Sequence, residues 1–329
     1  MPELRQDPTT GNWTIIAADR GKRPGGTLSL RTEPAGSERD PSCPFCPGNE
    51  HLTPPEIFRR PEGPEWTVRV VPNKYPALIP GLSEPTPSND GLYVSVPATG
   101  YYEVIIEGAE HRSSLAPPTS GLLAEALLAA HERCLAFRRD PKVRFYCLFK
   151  NHGKGAGASL PHPHWQLAAG PIVPYLVQRM VDVGATYRAH HGSSVYAAVM
   201  SRELNDGDRV VRVTDGFFVC TPFAPQWSGE AWILPREEVA RFDEIDPAEV
   251  TAFAEVLGDL LGRVERALDH PSINVLVLSA PLVDEAAKGF RWHARIQPRL
   301  TTPGGFELAS GVSITSMTPE SVAEILRGG

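Results

Sequence analysis

Two histidines separated by a single proline, His162 and His164, follow a glycine-rich run in NHGKGAGASLPHPHWQ, residues 151–166. Alternate residues of a strand share a face, so His162, His164 and Gln166 can address one site from one strand. A neutral imidazole is a good nucleophile toward phosphorus near neutral pH, and its phosphoryl adduct is reactive enough to be resolved. His164 is the candidate for that nucleophile, and the Gln166 amide is placed to donate to a phosphoryl oxygen as charge builds on it. Gly153, Gly155 and Gly157 let backbone N–H groups approach an anion closely. The run matches neither the dinucleotide fingerprint nor the Walker loop. Taken alone, H-x-H is equally compatible with a solvent-facing strand or a metal-binding pair.

Cysteine spacing adds a second kind of chemistry. The chain has five cysteines, and Cys43 and Cys46 form C-x-x-C. An odd count without a secretion-type leader favours metal over disulfide, and a redox pair would need a βαβ context that is not read here. A tetrahedral zinc site takes four N or S ligands, so two histidines must complete it. His51 sits in a Pro-rich loop and His131 in an apolar helical pattern. His152, His190, His191 and His270 lie in polar loop contexts and are expected to be solvated. His111, at the end of a strand, and His162 remain the best-placed pair. Cys134, Cys147 and Cys220 lie in apolar contexts and are expected in the core.

The elements that must position these residues can be read in outline. Residues 24–65, crowded with Pro, Gly, Ser and charge, predict an irregular segment in need of a clamp. YYEVIIEG (101–108) reads as a strand, 121–139 as a helix and 143–151 as a strand. The order returns as a strand at 230–235, a helix at 246–268 and a strand at 273–280. That helix carries Asp246 as N-cap, Pro247 in the first turn and Glu249 at the capping-box position. His162-Pro-His164-Trp-Gln166 then faces His293-Ala-Arg295-Ile-Gln297, so H-x-H-x-Q has become H-x-R-x-Q. An internal duplication follows, with halves at 1–172 and 173–329 and the chemistry kept in the first.

Composition bounds the function. At 329 residues and 41% hydrophobic, the chain suits two domains or one large duplicated fold. A net charge of -7 gives no bulk attraction to nucleic acid or anionic membrane, so any phosphate recognition must be local. No apolar run reaches transmembrane length and MPELRQDPTTGNW has no signal-like core, so a soluble, cytoplasmic protein is expected.

The pattern N-x-G-x(3)-G-x-S-x(2)-H-P-H-x-Q, from Asn151 to Gln166, resembles that of galactose-1-phosphate uridylyltransferases in the histidine-triad superfamily. DPTTGNWTIIAADRGKRP (7–24), CPFCPGNEHLTPPEI (43–57), VRVVPNKYPAL (68–78), YEVIIEGAEH (102–111) and PRLTTPGGFELASG (298–311) agree with it. The resemblance implies an α+β fold, a duplicated histidine-triad-like architecture of two antiparallel-sheet halves with flanking helices. It implies a structural zinc on Cys43, Cys46, His111 and His162, His164 as the nucleotidylated residue and Gln166 as the group steadying the phosphoryl. It places Asn73, Asn151, Gly157 and Ser159 on the nucleotide, and Arg20 and Arg23 on phosphates across a homodimer interface. The implied reaction is ping-pong: a nucleoside diphosphate sugar, UDP-glucose in the main line, gives its nucleotide to His164 and then to a sugar 1-phosphate. Two departures stand out. Leu278 and Arg295 occupy places where some relatives carry histidines of a second metal site, so none is expected here. Glu307 fits a hexose-contacting glutamate, but LASGVSITSM lacks the glutamine that follows it. Adenylyl transfer in the manner of the ADP-glucose phosphorylase branch is the alternative, with nucleotidyl-sugar hydrolysis after it.

Overall fold

The computed structural model describes residues 1–22, 39–82, 86–111, 115, 120–282 and 289–328. In chain order, β1 (Glu3–Gln6) and β2 (Trp13–Ile16) precede β3 (Phe58–Arg60) and β4 (Val68–Pro72). A small hairpin, β5 (Ser88–Asn89) and β6 (Val94–Ser95), leads into β7 (Tyr101–Glu107), α1 (Ser120–Arg138), β8 (Phe145–His152) and β9 (His164–Gly170). Helices α2 (Tyr175–His191) and α3 (Val195–Asp206) lead to β10 (Val210–Val213), β11 (Phe217–Cys220) and β12 (Ala231–Pro235). The chain continues through α4 (Pro247–Ala267), β13 (Ile273–Leu278), β14 (His293–Pro298), α5 (Gly305–Ser310), β15 (Ser313–Thr315) and α6 (Pro319–Gly328).

The duplication appears as a repeated sheet order. One half runs β3-β4-β7-β9-β8 and the other β10-β11-β12-β14-β13, each with its long helix between the third and fourth strands in sequence. The halves do not form separate sheets. Antiparallel pairing of β8 with β13, Asn151 opposite Asn274 and Phe149 opposite Leu276, fuses them into one ten-stranded antiparallel sheet. Strand β15 returns to pair in parallel with β2 in a separate three-stranded sheet.

Period-two alternation decides what each face buries. Trp165 and Leu167 of β9, Leu148 of β8, Val275 and Val277 of β13, and Ala294 and Ile296 of β14 pack with α1 and α4 in the main core. Helix α4 starts as its sequence requires: Asp246 accepts from the Glu249 N–H at 2.9 Å, and Glu249 accepts from the Asp246 N–H at 2.9 Å. On the opposite face, α2 and α3 cover the second half through Met180, Tyr196 and Met200 against Trp232 and Phe218. The first half is instead covered there by the 43–46 turn, with Cys43, Phe45 and Cys46 packed on Val71, Val104 and Ile106.

Three readings need correcting. His152 is the last residue of β8 and is buried, not solvated, because the strand extends one residue beyond the apolar run and carries it under the helices. His190 and His191 belong to the last turn of α2 and are not in a loop, although both are exposed as expected; the His190 ring lies 2.7 Å from the Thr186 carbonyl and the His191 ring packs on Tyr187. Cys134 and Cys220 lie in the core as expected, while Cys147 is only half-buried.

Candidate active site and metal centre

The even positions of β9 leave the helix-covered face and open into a cleft of about 530 Å³. Its wall contains His164, Gln166, Ser159, Asn73, Lys74 and Phe45. Among the described lining residues there is one ammonium, Lys74, and no carboxylate, so the chain's net negative charge does not extend into the cleft.

The His164 ring is fixed by its own strand. Nδ1 lies 2.8 Å from the carbonyl oxygen of His162. A carbonyl only accepts, so Nδ1 carries the hydrogen and Nε2 keeps a free lone pair. Burial lowers the ring's pKa, which the backbone carbonyl only partly offsets, so the neutral form is favoured near pH 7. The edge-on Phe45 ring, 5.2 Å away between centroids, packs against the imidazole. Gln166 is oriented as well: its Oε1 accepts from the Tyr102 hydroxyl at 3.0 Å, leaving the amide N–H groups for a ligand.

Behind the β9 strand, on the helix-covered face, the Lys150 ammonium and Glu107 carboxylate form a buried ion pair at 2.5 Å, and the Trp165 indole donates to the same carboxylate at 3.0 Å. This network ties β7, β8 and β9 together on the far side of the strand from His164.

The two cysteines and two histidines converge. Cys43, Cys46, His111 and His162 are all buried, and their ligand atoms lie within 4.8 Å of one another. The Nε2–H of His162 donates to the Gly108 carbonyl at 3.0 Å, which turns Nδ1 toward Cys46. That is the outer-shell arrangement that fixes a metal-binding tautomer. Burial pushes the Cys43 thiol up to about 11, so holding that sulfur as a thiolate calls for a cation beside it. The donor set fits one tetrahedral ion and leaves no open position. Such an ion joins the 43–46 turn to His111, four residues beyond β7, and to the histidine two places before His164.

The remaining expected residues divide. Asn73 lines the cleft, its side-chain oxygen accepting from the Tyr75 N–H at 2.9 Å, and Ser159 lines it too. Asn151 lies two residues beyond Phe149, where the β8–β9 pairing ends opposite Gln166, and it is not among the residues that line the cleft. Gly157 closes the loop beyond Asn151 at φ 83°, a left-handed conformation that favours glycine. Arg20 is exposed on a short turn at Ala18–Lys22 and does not line the cleft. Arg23 lies outside the described residues. Glu307 is not brought to the cleft: it caps its own helix, accepting from the Gly304 N–H at 2.6 Å.

The second half carries a cleft of about 430 Å³ against β11, β12 and α3, in the corresponding part of the repeated sheet order. Its chemistry differs. Arg202 and Arg209 are paired with Asp206 and Glu203 at 2.7 and 2.9 Å, so their charge is already neutralised. In the place of His164, Arg295 donates to His293 Nε2 at 3.1 Å and stacks on Trp232 with 4.3 Å to the ring centroid.

Residues 1–174 match the model of the galactose-1-phosphate uridyl transferase N-terminal domain, more than half of the chain. The chain belongs to the galactose-1-phosphate uridylyltransferase family. Across its whole length it is similar to an ADP-glucose phosphorylase from Arabidopsis thaliana, 31% identical over 99% of this chain and 92% of that protein. It is also similar to a galactose-1-phosphate uridylyltransferase from Haemophilus influenzae, 27% identical over 99% of this chain and 94% of that one. Among solved structures, the Arabidopsis ADP-glucose phosphorylase with bound ADP-glucose superposes with a TM-score of 0.86 at 29% identity, covering 100% of this chain and 99% of that one. As a member of this family the chain is a nucleotidyltransferase, and its large antiparallel sheet with flanking helices is the family architecture.

Within this family member, sequence reasoning missed Tyr102, Phe45 and Asn274. Tyr102 carried a signal, because β7 pairs Val104 with Gln166 and so places Tyr102 diagonally from it on the same face. Phe45 carried one as well, lying inside the C-x-x-C. Asn274 carried none, since only the joining of the two halves brings it to Asn151.

Proposed function

We propose that this chain transfers adenylyl groups, taking AMP from ADP-glucose and passing it to phosphate through a covalent intermediate on His164. The observation that carries the reaction type is the locked ring: Nδ1–H held by the His162 carbonyl, Nε2 free, on a side chain that shares a cleft with Gln166 and Lys74. Nε2 attacks the α-phosphorus, the N–P bond forms, and the bond to the β-phosphate oxygen breaks to release glucose 1-phosphate. The ring gains positive character as it bonds phosphorus, and the His162 carbonyl faces the N–H that carries it. The Gln166 amide and the Lys74 ammonium meet the charge on the phosphoryl oxygens. Phosphate then attacks the same phosphorus from solution, releases ADP and restores neutral His164.

Zinc is the ion we assign to Cys43, Cys46, His111 and His162, where it clamps the turn that forms one wall of the cleft. With four protein ligands its part is structural. Arg20, exposed and outside the cleft, is available to a second copy of the chain, in keeping with a homodimer.

The preference for adenylyl transfer rests on the similarity to ADP-glucose phosphorylase and on Glu307, which is engaged as a cap and has no following glutamine to complete a hexose clamp. Uridylyl transfer from UDP-glucose to a hexose 1-phosphate is the second reading, favoured by the family model that residues 1–174 match. Turnover with ADP-glucose plus phosphate, against UDP-glucose plus galactose 1-phosphate, decides between them. Release of glucose 1-phosphate only in the second mixture overturns the adenylyl assignment.

A further inference from the structure

The second half of the sheet touches the reactive half at the β8–β13 junction. There Asn274 of β13 donates through Nδ2 to Asn151 Oδ1 at 2.8 Å and to the Ala156 carbonyl at 2.8 Å. Its own Oδ1 accepts from Arg299 Nε, and the Arg299 guanidinium stacks on Trp227 with 3.7 Å to the ring centroid. Every strong hydrogen-bonding group of the Asn274 side chain is thus committed, and its amide cannot flip without breaking the Arg299 contact. Ser272, two residues earlier, accepts from the Gly155 N–H at 3.2 Å through its hydroxyl. The glycine loop between β8 and β9 is therefore held from outside its own half.

The consequence falls on Asn151. With Oδ1 taken by Asn274, its Nδ2 hydrogens are the part left for a ligand, two residues along β8 from Phe149, which pairs with Gln166. The sheet repeat supplies an internal control: Phe149 faces Gln166 as Asn274 faces Gln297, so the pair equivalent to Asn151–Asn274 is Phe149 opposite Leu276. The polar pair exists only on the side of the junction that carries His164.

We propose that Asn274 is a positioning residue for nucleotidyl transfer, presenting the Asn151 amide and the 153–158 loop to the phosphoryl group that His164 attacks. The inference rests on the role given to His164 above. It makes the half without the nucleophile part of the machinery of the half that has it.

The test is the single-turnover rate of His164 nucleotidylation, with ADP-glucose and UDP-glucose each at saturation, in Asn274→Ala, Asn151→Ala and the double variant. Melting temperature and metal content are followed in parallel. Asn274→Ala should slow the maximal rate by roughly 10- to 100-fold, the scale expected when a reacting group is held slightly out of place. It should change the substrate concentration giving half-maximal rate much less, and it should retain its metal. The double variant should be no slower than Asn151→Ala alone. Arg299→Leu, which releases the Asn274 amide without touching the loop, should lose rate in the same direction and likewise add nothing to Asn151→Ala; it decides the matter if Asn274→Ala fails to fold. Rates within twofold of wild type, or full additivity with Asn151→Ala, overturn the proposal. Absence of any adduct on the wild-type chain would instead strike the nucleophile assignment.

Discussion

Tyr102→Phe removes one oxygen and tests whether the orientation of Gln166 matters to the chemistry. The hydroxyl donates to Gln166 Oε1 at 3.0 Å, and burial raises the phenol's pKa, so it remains a donor at neutral pH. A neutral hydrogen bond of this kind is worth about 1 kcal/mol net, and losing it lets the carboxamide exchange its oxygen and nitrogen ends. If the amide must present N–H to the phosphoryl group, that 1 kcal/mol passes into the barrier and slows His164 nucleotidylation about fivefold. Removing the amide altogether, in Gln166→Ala, should cost roughly 100-fold or more, the scale of losing a preorganised donor to developing charge. Rapid-quench single turnover with ADP-glucose measures both, and calorimetry checks that the melting temperature of Tyr102→Phe stays near wild type. In the double variant the tyrosine should no longer matter. A Tyr102→Phe rate equal to wild type while Gln166→Ala is slow would refute the orientation argument, as would a double variant slowed by the product of both effects.

Other outcomes follow from the same geometry. Cys46→Ser should lose the bound metal and lower stability by on the order of several kcal/mol, because the 43–46 turn is then held by apolar packing alone; retention of wild-type metal content would contradict the ligand set. Lys150→Met leaves the Glu107 carboxylate buried without its ammonium, and chemical denaturation should show about 3–5 kcal/mol lost. Pairing it with Glu107→Gln should restore much of that, and a double variant as unstable as the sum of both would count against the pair. His293, pushed down to about 3 by burial and by Arg295, stays neutral in the folded chain while the unfolded ring takes up a proton near its ordinary 6.5. Its contribution is therefore complete above about pH 6.5 and is lost as pH falls, about 2 kcal/mol of it by pH 5. Urea titrations at the two pH values should show that slope in wild type and a shallower one in His293→Asn; equal slopes would remove His293 as the cause.

Much of the half that carries His164 was legible because its signals are local. Alternation along β9 sends Trp165 and Leu167 into the helices and His164 and Gln166 into the cleft, as a two-residue period requires. The helix beginning at Pro247 was marked by Asp246 and Glu249, both of which make the bonds their spacing implies. What escaped depends on contacts distant in sequence. Nothing near His152 says that the end of β8 is buried instead of in solvent, and nothing near Asn274 points to a partner 123 residues away. The fusion of two half-sheets into one rests on the β8–β13 pairing, whose register belongs to neither half alone. Glu307 is ambiguous in sequence for a different reason, since a carboxylate three residues into a short helix serves equally as a ligand contact or a cap, and its bond to the Gly304 N–H shows the second.

Intact-protein mass spectrometry after brief mixing with ADP-glucose, without phosphate, tests the proposed covalent intermediate on His164 directly. Wild type should gain one adenylyl group, peptide mapping should place it on His164, and added phosphate should discharge it as ADP. His164→Gly, with its metal retained, should gain nothing. An adduct that persists in His164→Gly, or turnover by that variant at the wild-type rate, would contradict the assignment.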